Sequence, residues 1–361
     1  MFVIRGDGNA HIGAGHLMRC LTIADALAHR TSGQADIMFI CGDDQSGQLA
    51  ADHFRVQVLH TDYQDMEAEL PVLVQLLSNV DEQIVFLIDS YYVTPRYMEE
   101  IKRLGYVFLM DDMGKQPFPA DAVINYNAFA DKSVYRELYR GMQTALHIGS
   151  SYIPLRPQFL HTGCQIRENV SDILITTGGG DSENIGGSIL EGIYDETLNY
   201  HLITGRYHPY YNILKTWEKN HNNVTIYHDV KDMASLMAKC DLAVTAGGTT
   251  IYELAAVGVP FICFSYADNQ KALTAWVGTA CEAIFPEGTL RTGSAYIGQE
   301  KISGYAGDWH EDKVMVMERI SEWCRVMKND IHKRQLWADE FKNMVDGHGA
   351  ERIADLLRAR Q

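Results

Sequence analysis

A short polar segment near the N-terminus contains the side chains best suited to acid–base chemistry. Residues 5–16 read Arg-Gly-Asp-Gly-Asn-Ala-His-Ile-Gly-Ala-Gly-His, the densest polar cluster in the chain. A histidine exchanges protons near neutral pH, and the positive end of a helix disfavours its charged form. We therefore predict that His16 is a general base and that Asp7 orients it. The alternative is that His16 only caps a turn.

Two glycines, Gly13 and Gly15, directly precede this histidine. Glycine between a strand and a helix lets the backbone approach a ligand closely, so we predict that both line a substrate site. The spacing lacks the third glycine of a dinucleotide-binding turn and the lysine of a P-loop. An ordinary tight turn is therefore the alternative interpretation.

Two further glycine turns lie in the second half of the chain. They are Gly178-Gly179-Gly180-Asp181 and Thr245-Ala246-Gly247-Gly248-Thr249-Thr250. Backbone N–H groups in such turns, and at the helix starts that follow them, can hold a diphosphate without a lysine or an arginine. We predict that this diphosphate site includes the following residues: Gly178, Gly179, Asp181, Gly247, Gly248, Thr249 and Thr250.

Three polar side chains follow these turns and could read a nucleoside. Glu253 lies one turn into the helix after the second turn, where a carboxylate can accept both hydroxyls of a ribose. Asn269 and Gln270 come shortly after an apolar run, and their amides could contact a base or a sugar edge. A capping-box glutamate and a helix-cap asparagine are the alternatives.

The elements that must position these residues are visible as short apolar runs separated by helix-like stretches. In the first half the runs are residues 1–5, 36–40, 84–88, 106–110 and 122–124; in the second half they are 173–177, 200–203, 224–227, 242–244 and 260–264. Continuous rather than alternating runs are typical of parallel strands buried on both faces. Acidic residues such as Asp89 follow the strands, where loops emerge at the carboxyl edge of a sheet.

The strand–glycine turn–helix pattern occurs twice, which predicts an α/β protein of two doubly wound, Rossmann-like domains that face a cleft. We expect an N-terminal sugar and catalytic domain at residues 1–155 and a nucleotide-binding domain at 156–340. A C-terminal helix at 341–361 would pack back on the first domain. Trp309, Trp323 and Trp337 are expected to be packing residues.

Composition limits the possible functions. The chain has 47 acidic and 31 basic residues and a net charge of −16, which argues against a nucleic-acid surface. No segment approaches the roughly 18 apolar residues of a spanning helix, so we expect no membrane insertion and a cytoplasmic location. The seven cysteines are scattered and form no Cys-x-x-Cys pair, which predicts reduced, buried thiols.

Taken in order, these motifs resemble the nucleotide-sugar hydrolases of the pseudaminic acid pathway, which are relatives of the GT-B glycosyltransferases. The most specific part is the Gly-x-Gly-His-x-x-Arg-Cys sequence at residues 13–20, within the matching residues 12–20. The other matching pieces are residues 5–8, 111–112, 125–127, 152, 155–157, 178–181, 247–254, 269–270 and 346–353. Ser90-Tyr91 stands where the family usually has a His-Tyr pair, and there is additional sequence at residues 289–310.

The resemblance implies a GT-B-like fold, with UDP held by the C-terminal domain and a water activated by His16. The water would attack the anomeric carbon and release UDP with inversion. No metal and no cofactor is implied. Asp7, Asp89 and Tyr91 would lie near the sugar, and Arg5 and Arg156 are also expected to contact the substrate.

Three classes of function remain open at this point. Hydrolysis of a UDP-linked acetamido sugar is the first, and transfer of the sugar to an acceptor by a GT-B glycosyltransferase is the second. A nucleotide-sugar-binding module without catalysis is the third. The two enzymes would use the same donor motifs, so the second half of the chain cannot distinguish them.

Overall fold

A computed structural model describes residues 1–9, 11–178, 181–205, 208–284 and 304–361. The chain divides into two compact units. Unit 1 contains residues Met1–Arg156 and Gly347–Gln361, and unit 2 contains Pro157–Asp346. Each unit is built around a parallel sheet.

Unit 1 has a seven-stranded sheet in the order β3-β2-β1-β4-β5-β6-β7. Its strands are β1 Phe2–Gly6, β2 Ile37–Cys41, β3 Arg55–Val58, β4 Ile84–Asp89, β5 Gly105–Met110, β6 Ala122–Asn125 and β7 Ala145–Ile148. Every residue of β1, β2 and β4 is buried, because helices cover both faces. The helices before the second unit are α1 Gly15–Arg30, α2 Asp44–Ala51, α3 Met66–Leu77, α4 Pro95–Lys102 and α5 Lys132–Leu138.

Strands β1 and β4 pair directly with each other, and the strand order changes direction between them, although all strands are parallel. Strands β2 and β3 extend the sheet on one side and β5 to β7 on the other. In open parallel sheets, ligands bind beyond the carboxyl ends of the strands at such a switch point. The loops that follow β1 and β4 therefore form the expected site of unit 1.

Unit 2 repeats this plan with six parallel strands in the order β10-β9-β8-β11-β12-β13. Its strands are β8 Asp172–Thr176, β9 Asn199–Thr204, β10 Val224–His228, β11 Leu242–Ala246, β12 Phe261–Ser265 and β13 Tyr305–Asp308. Its helices are α6 Ile185–Ile193, α7 Tyr211–Asn220, α8 Met233–Met237, α9 Thr250–Val257, α10 Asp268–Ile284, α11 Lys313–Lys328 and α12 Ile331–Met344. The switch point lies between β8 and β11, after which the two predicted glycine turns emerge.

The last helix, α13 Gly349–Arg358, belongs to unit 1. It packs on α1 and buries Ile353, Ala354 and Leu357. Gly349 lies against the backbone of Ile153 so closely that a Cβ atom would collide with it. A glycine is therefore required at the start of this helix.

The ten predicted strands are all confirmed, as is the α/β class with two doubly wound units. Three strands escaped prediction: β3, β7 and β13. Strands β3 and β7 are short sheet-edge strands in unit 1, and β3 alternates exposed and half-buried residues, so neither shows the long apolar run of a central strand. The edge strand β13 contains Gly307 at a φ of 124°, which weakens any strand signal.

Side-chain burial agrees with the other sequence predictions. Trp309, Trp323 and Trp337 are buried packing residues. Six cysteines are free thiols, of which five are buried and Cys164 is half-buried, while the side chain of Cys281 lies outside the described residues. Among the described helices, none combines the length and apolar character needed to cross a bilayer.

Candidate functional site in unit 1 and nucleotide motifs in unit 2

The loop after β1 carries His16 to the switch point of unit 1. Gly13 has a φ of 75°, a left-handed conformation that favours glycine. The side chain of Asn9 fixes the loop, since its Oδ1 accepts from the backbone N–H groups of His11 and Ile12. Helix α1 then begins at Gly15, so His16 lies in its first turn with its side chain 12% exposed.

His16 is oriented by Asp89, at the end of β4. His16 Nδ1 lies 2.7 Å from Asp89 Oδ1. An ionised carboxylate can only accept a hydrogen bond, so Nδ1 carries the imidazole proton and Nε2 has the free lone pair. Nε2 makes no hydrogen bond with any residue that the structure describes. This is the tautomer that a general base acting through Nε2 requires.

The carboxyl group of Asp89 is kept ionised by its neighbours. It is 1% exposed, and burial alone would raise its pKa, but Arg19 and His16 lower the pKa below its ordinary value. Arg19 donates from Nε to Oδ2 and from Nη2 to Oδ1, both at 2.5 Å. Asp89 was predicted to lie near the sugar. Because both oxygens are occupied, it supports the histidine from behind instead.

Tyr91 is in contact with His16, and its predicted contact with the sugar stays a prediction. The two rings meet edge to face with their centroids 4.4 Å apart. The tyrosine side chain is 45% exposed, and its hydroxyl lies 3.5 Å from Asp112 Oδ2. Tyr91 therefore presents an aromatic surface to solvent beside the imidazole.

The prediction that Asp7 orients His16 is wrong. Asp7 Oδ2 accepts from Arg5 Nη1 at 2.5 Å, and Oδ1 accepts from the backbone N–H of Gly42 at 2.7 Å. The pair is buried in unit 1, where Arg5 also donates from Nε and Nη2 to the carboxylate of Glu69. Asp7, at the carboxyl end of β1, therefore faces this buried ion network and not the loop that carries His16.

Arg5 requires the same correction as a predicted substrate contact. Its side chain is 1% exposed, and its guanidinium is shared between Asp7 and Glu69. The pKa of Arg5 is raised: burial acts to lower it, but the two carboxylates outweigh burial. We interpret Arg5 as a structural cation that holds β1 against α3.

In unit 2, the first predicted turn follows β8. Gly178 is exposed at a φ of 87°, whereas Gly179 lies outside the described residues. Asp181 is buried and accepts from the backbone N–H groups of Ile185 and Gly186, both at 2.8 Å. Its carboxylate therefore accepts hydrogen bonds from the backbone N–H groups that have no partner within α6 at the start of that helix. That position does not fit its predicted contact with a ligand.

The second turn, after β11, is joined to the start of α10. A Cβ atom on Gly247 would collide with Thr274 and come within 3.0 Å of Gln270 Cβ, so the turn and this helix meet at a glycine. Gln270 accepts from the backbone N–H of Tyr266, whose hydroxyl donates to the carbonyl of Thr177 at 3.0 Å. The structure thus connects the loops after β8, β11 and β12.

The remaining predicted residues of unit 2 lie around that connection. Gly248 has open space where a Cβ would be, and Thr249 precedes α9 without capping it through its side chain. Thr250 begins α9, Glu253 is half-buried in its first turn, and Asn269 is exposed in the first turn of α10. These positions leave backbone and hydroxyl donors accessible at the switch point.

Three predicted features remain: Gly15, Arg156 and the additional segment. Gly15 is exposed at the start of α1, and nothing lies near its Cβ position. Arg156 is half-buried and is the last residue of the first stretch of unit 1, so its contact with a substrate stays a prediction. Of the additional segment, residues 289–303 lie outside the described residues.

No role was predicted for Arg19, which binds Asp89, or for the two side chains that Arg19 also binds. Arg19, Asp112 and Tyr126 form one hydrogen-bonded group: Arg19 Nη1 donates to Asp112 Oδ2 at 2.6 Å and to the Tyr126 hydroxyl at 2.5 Å. One signal was available. His16 and Arg19 are three residues apart, which places them on one face of a helix.

Comparisons with known proteins agree with this architecture. Residues 173–275, within unit 2, match the glycosyltransferase family 28 C-terminal domain. The UDP-2,4-diacetamido-2,4,6-trideoxy-beta-L-altropyranose hydrolase of Campylobacter jejuni is 24% identical over 277 residues, which are 76% of this chain and 95% of that relative. The resemblance inferred from the motifs is confirmed.

Solved structures show the same fold. The glycotransferase of kitacinnamycin has a TM-score of 0.67 at 14% identity, over 99% of this chain and 98% of that one. MurG of Acinetobacter baumannii has a TM-score of 0.61 at 12% identity, over 99% of both chains. At such low sequence identity these structures are evidence for the fold only, and they confirm the GT-B-like class.

Proposed function

We propose that this chain is a nucleotide-sugar hydrolase that releases UDP from a UDP-linked (di)acetamido-deoxy sugar. The observation that carries the proposal is the His16–Asp89 pair, in which Nδ1 is held at 2.7 Å from a buried carboxylate and Nε2 is left free to accept a proton. The name of the Campylobacter relative supplies the substrate class. The relative and the glycosyltransferase domain match both support an enzyme acting on a sugar nucleotide.

The proposed reaction needs one base and a stabilised leaving group. A water oxygen attacks the anomeric carbon while His16 Nε2 accepts the water proton. The bond between that carbon and the β-phosphate oxygen breaks, and its electron pair leaves with UDP. Backbone donors at the glycine turns of unit 2 would stabilise the charge that develops on the diphosphate. Inversion at the anomeric carbon follows from a single displacement.

Within this proposal the motifs of unit 2 hold UDP. Gly248 offers a backbone donor, and Thr249 and Thr250 add hydroxyls at the start of α9. The N–H of Gly247 donates to the Phe264 carbonyl at 2.9 Å, so Gly247 contributes the close approach of the turn and no donor, and the N–H of Gly178 has only a long contact, 3.4 Å, with Thr176 Oγ1. Glu253 is proposed to accept the ribose hydroxyls. Asn269 and Gln270 would lie near the nucleoside, although Gln270 also fixes the Tyr266 backbone through its side-chain oxygen.

A glycosyltransferase is the second candidate, because the matched domain and the structural neighbours are named for sugar transfer. The same histidine could deprotonate an acceptor hydroxyl instead of a water. The two reactions differ in what receives the sugar, so the presence or absence of an acceptor distinguishes them.

The test is to incubate the full chain with a panel of UDP-sugars and to measure UDP release without any acceptor. We expect release for an acetamido-deoxy sugar, and a loss on the order of 10²- to 10⁴-fold in His16→Ala, the usual contribution of a general base. His11→Ala is the matched control, because His11 is exposed in the same loop. Release that appears only with an acceptor would replace hydrolysis by transfer.

A further inference from the structure

Arg19 occupies the centre of the charged group behind His16. It lies on α1 one turn after the histidine, and its side chain is 7% exposed. Its guanidinium donates to Asp89 through two nitrogens and to Asp112 and Tyr126 through the third. Arg19 Nη2 also lies 3.0 Å from His16 Nδ1; because Nδ1 donates its proton to Asp89 at 2.7 Å, this is a close approach of two donors and not a hydrogen bond. The guanidinium also lies over the Tyr126 ring, 5.1 Å from its centroid.

The charges in this group depend on the arginine. Among the described residues, Arg19 is the only permanent cation in hydrogen-bonding contact with Asp89; the other contact is the imidazole of His16. Cys20 Sγ lies 3.6 Å from Asp89 Oδ2, and burial raises the pKa of this thiol, with Asp89 adding to the effect. The remaining neighbours of the guanidinium, Asp112 and Tyr126, bring no positive charge. Without Arg19, Asp89 would be a buried acid facing no permanent cation.

We infer that Arg19 is a positioning residue that fixes the tautomer of His16 by keeping Asp89 a carboxylate. The inference rests on the proposed role of His16. A carboxylate can only accept from Nδ1, which leaves Nε2 as the base. A protonated Asp89 could donate to Nδ1 and would move the imidazole proton to Nε2, where no base remains.

Two effects of the arginine contribute, and different substitutions separate them. Its positive charge disfavours protonation of Asp89, and its planar fork holds the two carboxylate oxygens in place. Arg19→Gln removes both. Arg19→Lys keeps the charge but replaces the fork with a single ammonium group. Arg30→Gln is the matched control, since Arg30 ends the same helix and is 40% exposed.

The first measurement is the protonation of the two imidazole nitrogens by ¹⁵N NMR of histidine-labelled full chain, with His16→Gln used to assign the signal. We expect protonated Nδ1 and bare Nε2 in the wild type, Arg30→Gln and Arg19→Lys. In Arg19→Gln, the neutral tautomer with protonated Nε2 and bare Nδ1 should increase as the pH falls; the imidazolium, in which both nitrogens are protonated, is counted separately. This readout needs no substrate, so it remains informative if the proposed hydrolase activity is absent.

The second measurement is the pH profile of kcat/KM for UDP release. For Arg19→Gln we expect a loss on the order of 10²-fold at pH 7, within the range of a lost general base. The loss should diminish toward pH 9, where Asp89 is ionised even without the arginine. Arg19→Lys should keep the wild-type profile at a lower rate.

Several results would overturn the inference. One is an unchanged His16 tautomer in folded Arg19→Gln. Another is a loss of kcat/KM that is equal at every pH, which indicates only a structural role. If Arg19→Gln does not fold, Arg19→Lys decides: a neutral imidazole with protonated Nε2 and bare Nδ1 in that variant would show that the charge does not set the tautomer.

Discussion

Asp89→Asn and Asp7→Asn form a matched pair of isosteric substitutions at the ends of two adjacent strands. Asp89 accepts the proton-bearing Nδ1 of His16, whereas Asp7 binds Arg5 and the Gly42 backbone. An asparagine at position 89 can donate to Nδ1 and thus favours the tautomer with protonated Nε2. We expect Asp89→Asn to abolish most of the hydrolytic rate and Asp7→Asn to spare it.

The expected magnitudes differ widely. The analogous aspartate-to-asparagine change in serine proteases, which also yields the wrong tautomer, lowers kcat by on the order of 10⁴-fold, or about 5.4 kcal/mol in activation free energy. Asp7→Asn keeps the acceptor for the Gly42 N–H and leaves Arg5 paired with Glu69. We expect its cost to appear as about 1–3 kcal/mol of stability, with kcat changed by less than about threefold.

The assay is steady-state UDP release at saturating and limiting substrate, together with calorimetric unfolding of each variant. KM should change little in Asp89→Asn, because the missing group supports the base and does not contact the sugar. Equal losses of kcat in Asp7→Asn and Asp89→Asn would refute the role given to Asp89. A kcat above about a tenth of the wild-type value in Asp89→Asn would refute it as well.

Four further outcomes follow from contacts described above. Arg5→Met leaves the carboxylates of Asp7 and Glu69 buried without their cation, so the free energy of unfolding of unit 1, measured by calorimetry, should fall by about 3–5 kcal/mol. The control Arg55→Met, at an exposed arginine, should change it by no more than about 0.5 kcal/mol. Gly349→Ala should destabilise unit 1 by about 1–3 kcal/mol in the same experiment, because the added Cβ meets the Ile153 backbone. Glu253→Gln should weaken UDP binding about tenfold by titration calorimetry, a loss of about 1.4 kcal/mol, while kcat for bound substrate is retained; unchanged affinity would remove Glu253 from the proposed site. The pKa of Asp89 is lowered in the folded state, so its ionised carboxylate stabilises the fold above the unfolded carboxyl pKa of about 3.9, and this stabilisation is lost as the pH falls further. The difference in free energy of unfolding between wild type and Asp89→Asn, measured by urea titration, should therefore become smaller below about pH 4.

The sequence was sufficient for the central strands and for the ends from which the loops emerge. Strands buried on both faces leave continuous apolar runs, so β1, β4, β8 and β11 could be recognised, and with them the two switch points. His16 followed from its place at a helix start. The edge strands were missed because half-exposed residues such as those of β3 carry no such pattern.

The partners of the histidine were harder to predict, since sequence proximity favoured the wrong acid. Asp7 is nine residues from His16, but successive positions at a strand end can face opposite sides of the sheet. Asp89 is 73 residues away and reaches His16 because β4 pairs directly with β1. Only the strand order, which local patterns do not contain, identifies the acid that orients the base.

The position of α13 has a consequence for how the protein is made. Unit 1 needs this helix to cover α1, yet α13 follows unit 2 in the chain and is synthesised after it. Unit 2 is continuous in sequence, so all of its strands are available while unit 1 still lacks a helix. During translation, the face of α1 that α13 covers therefore stays exposed until the second unit has been synthesised. A gene fragment that ends at Arg156 would leave the same face bare.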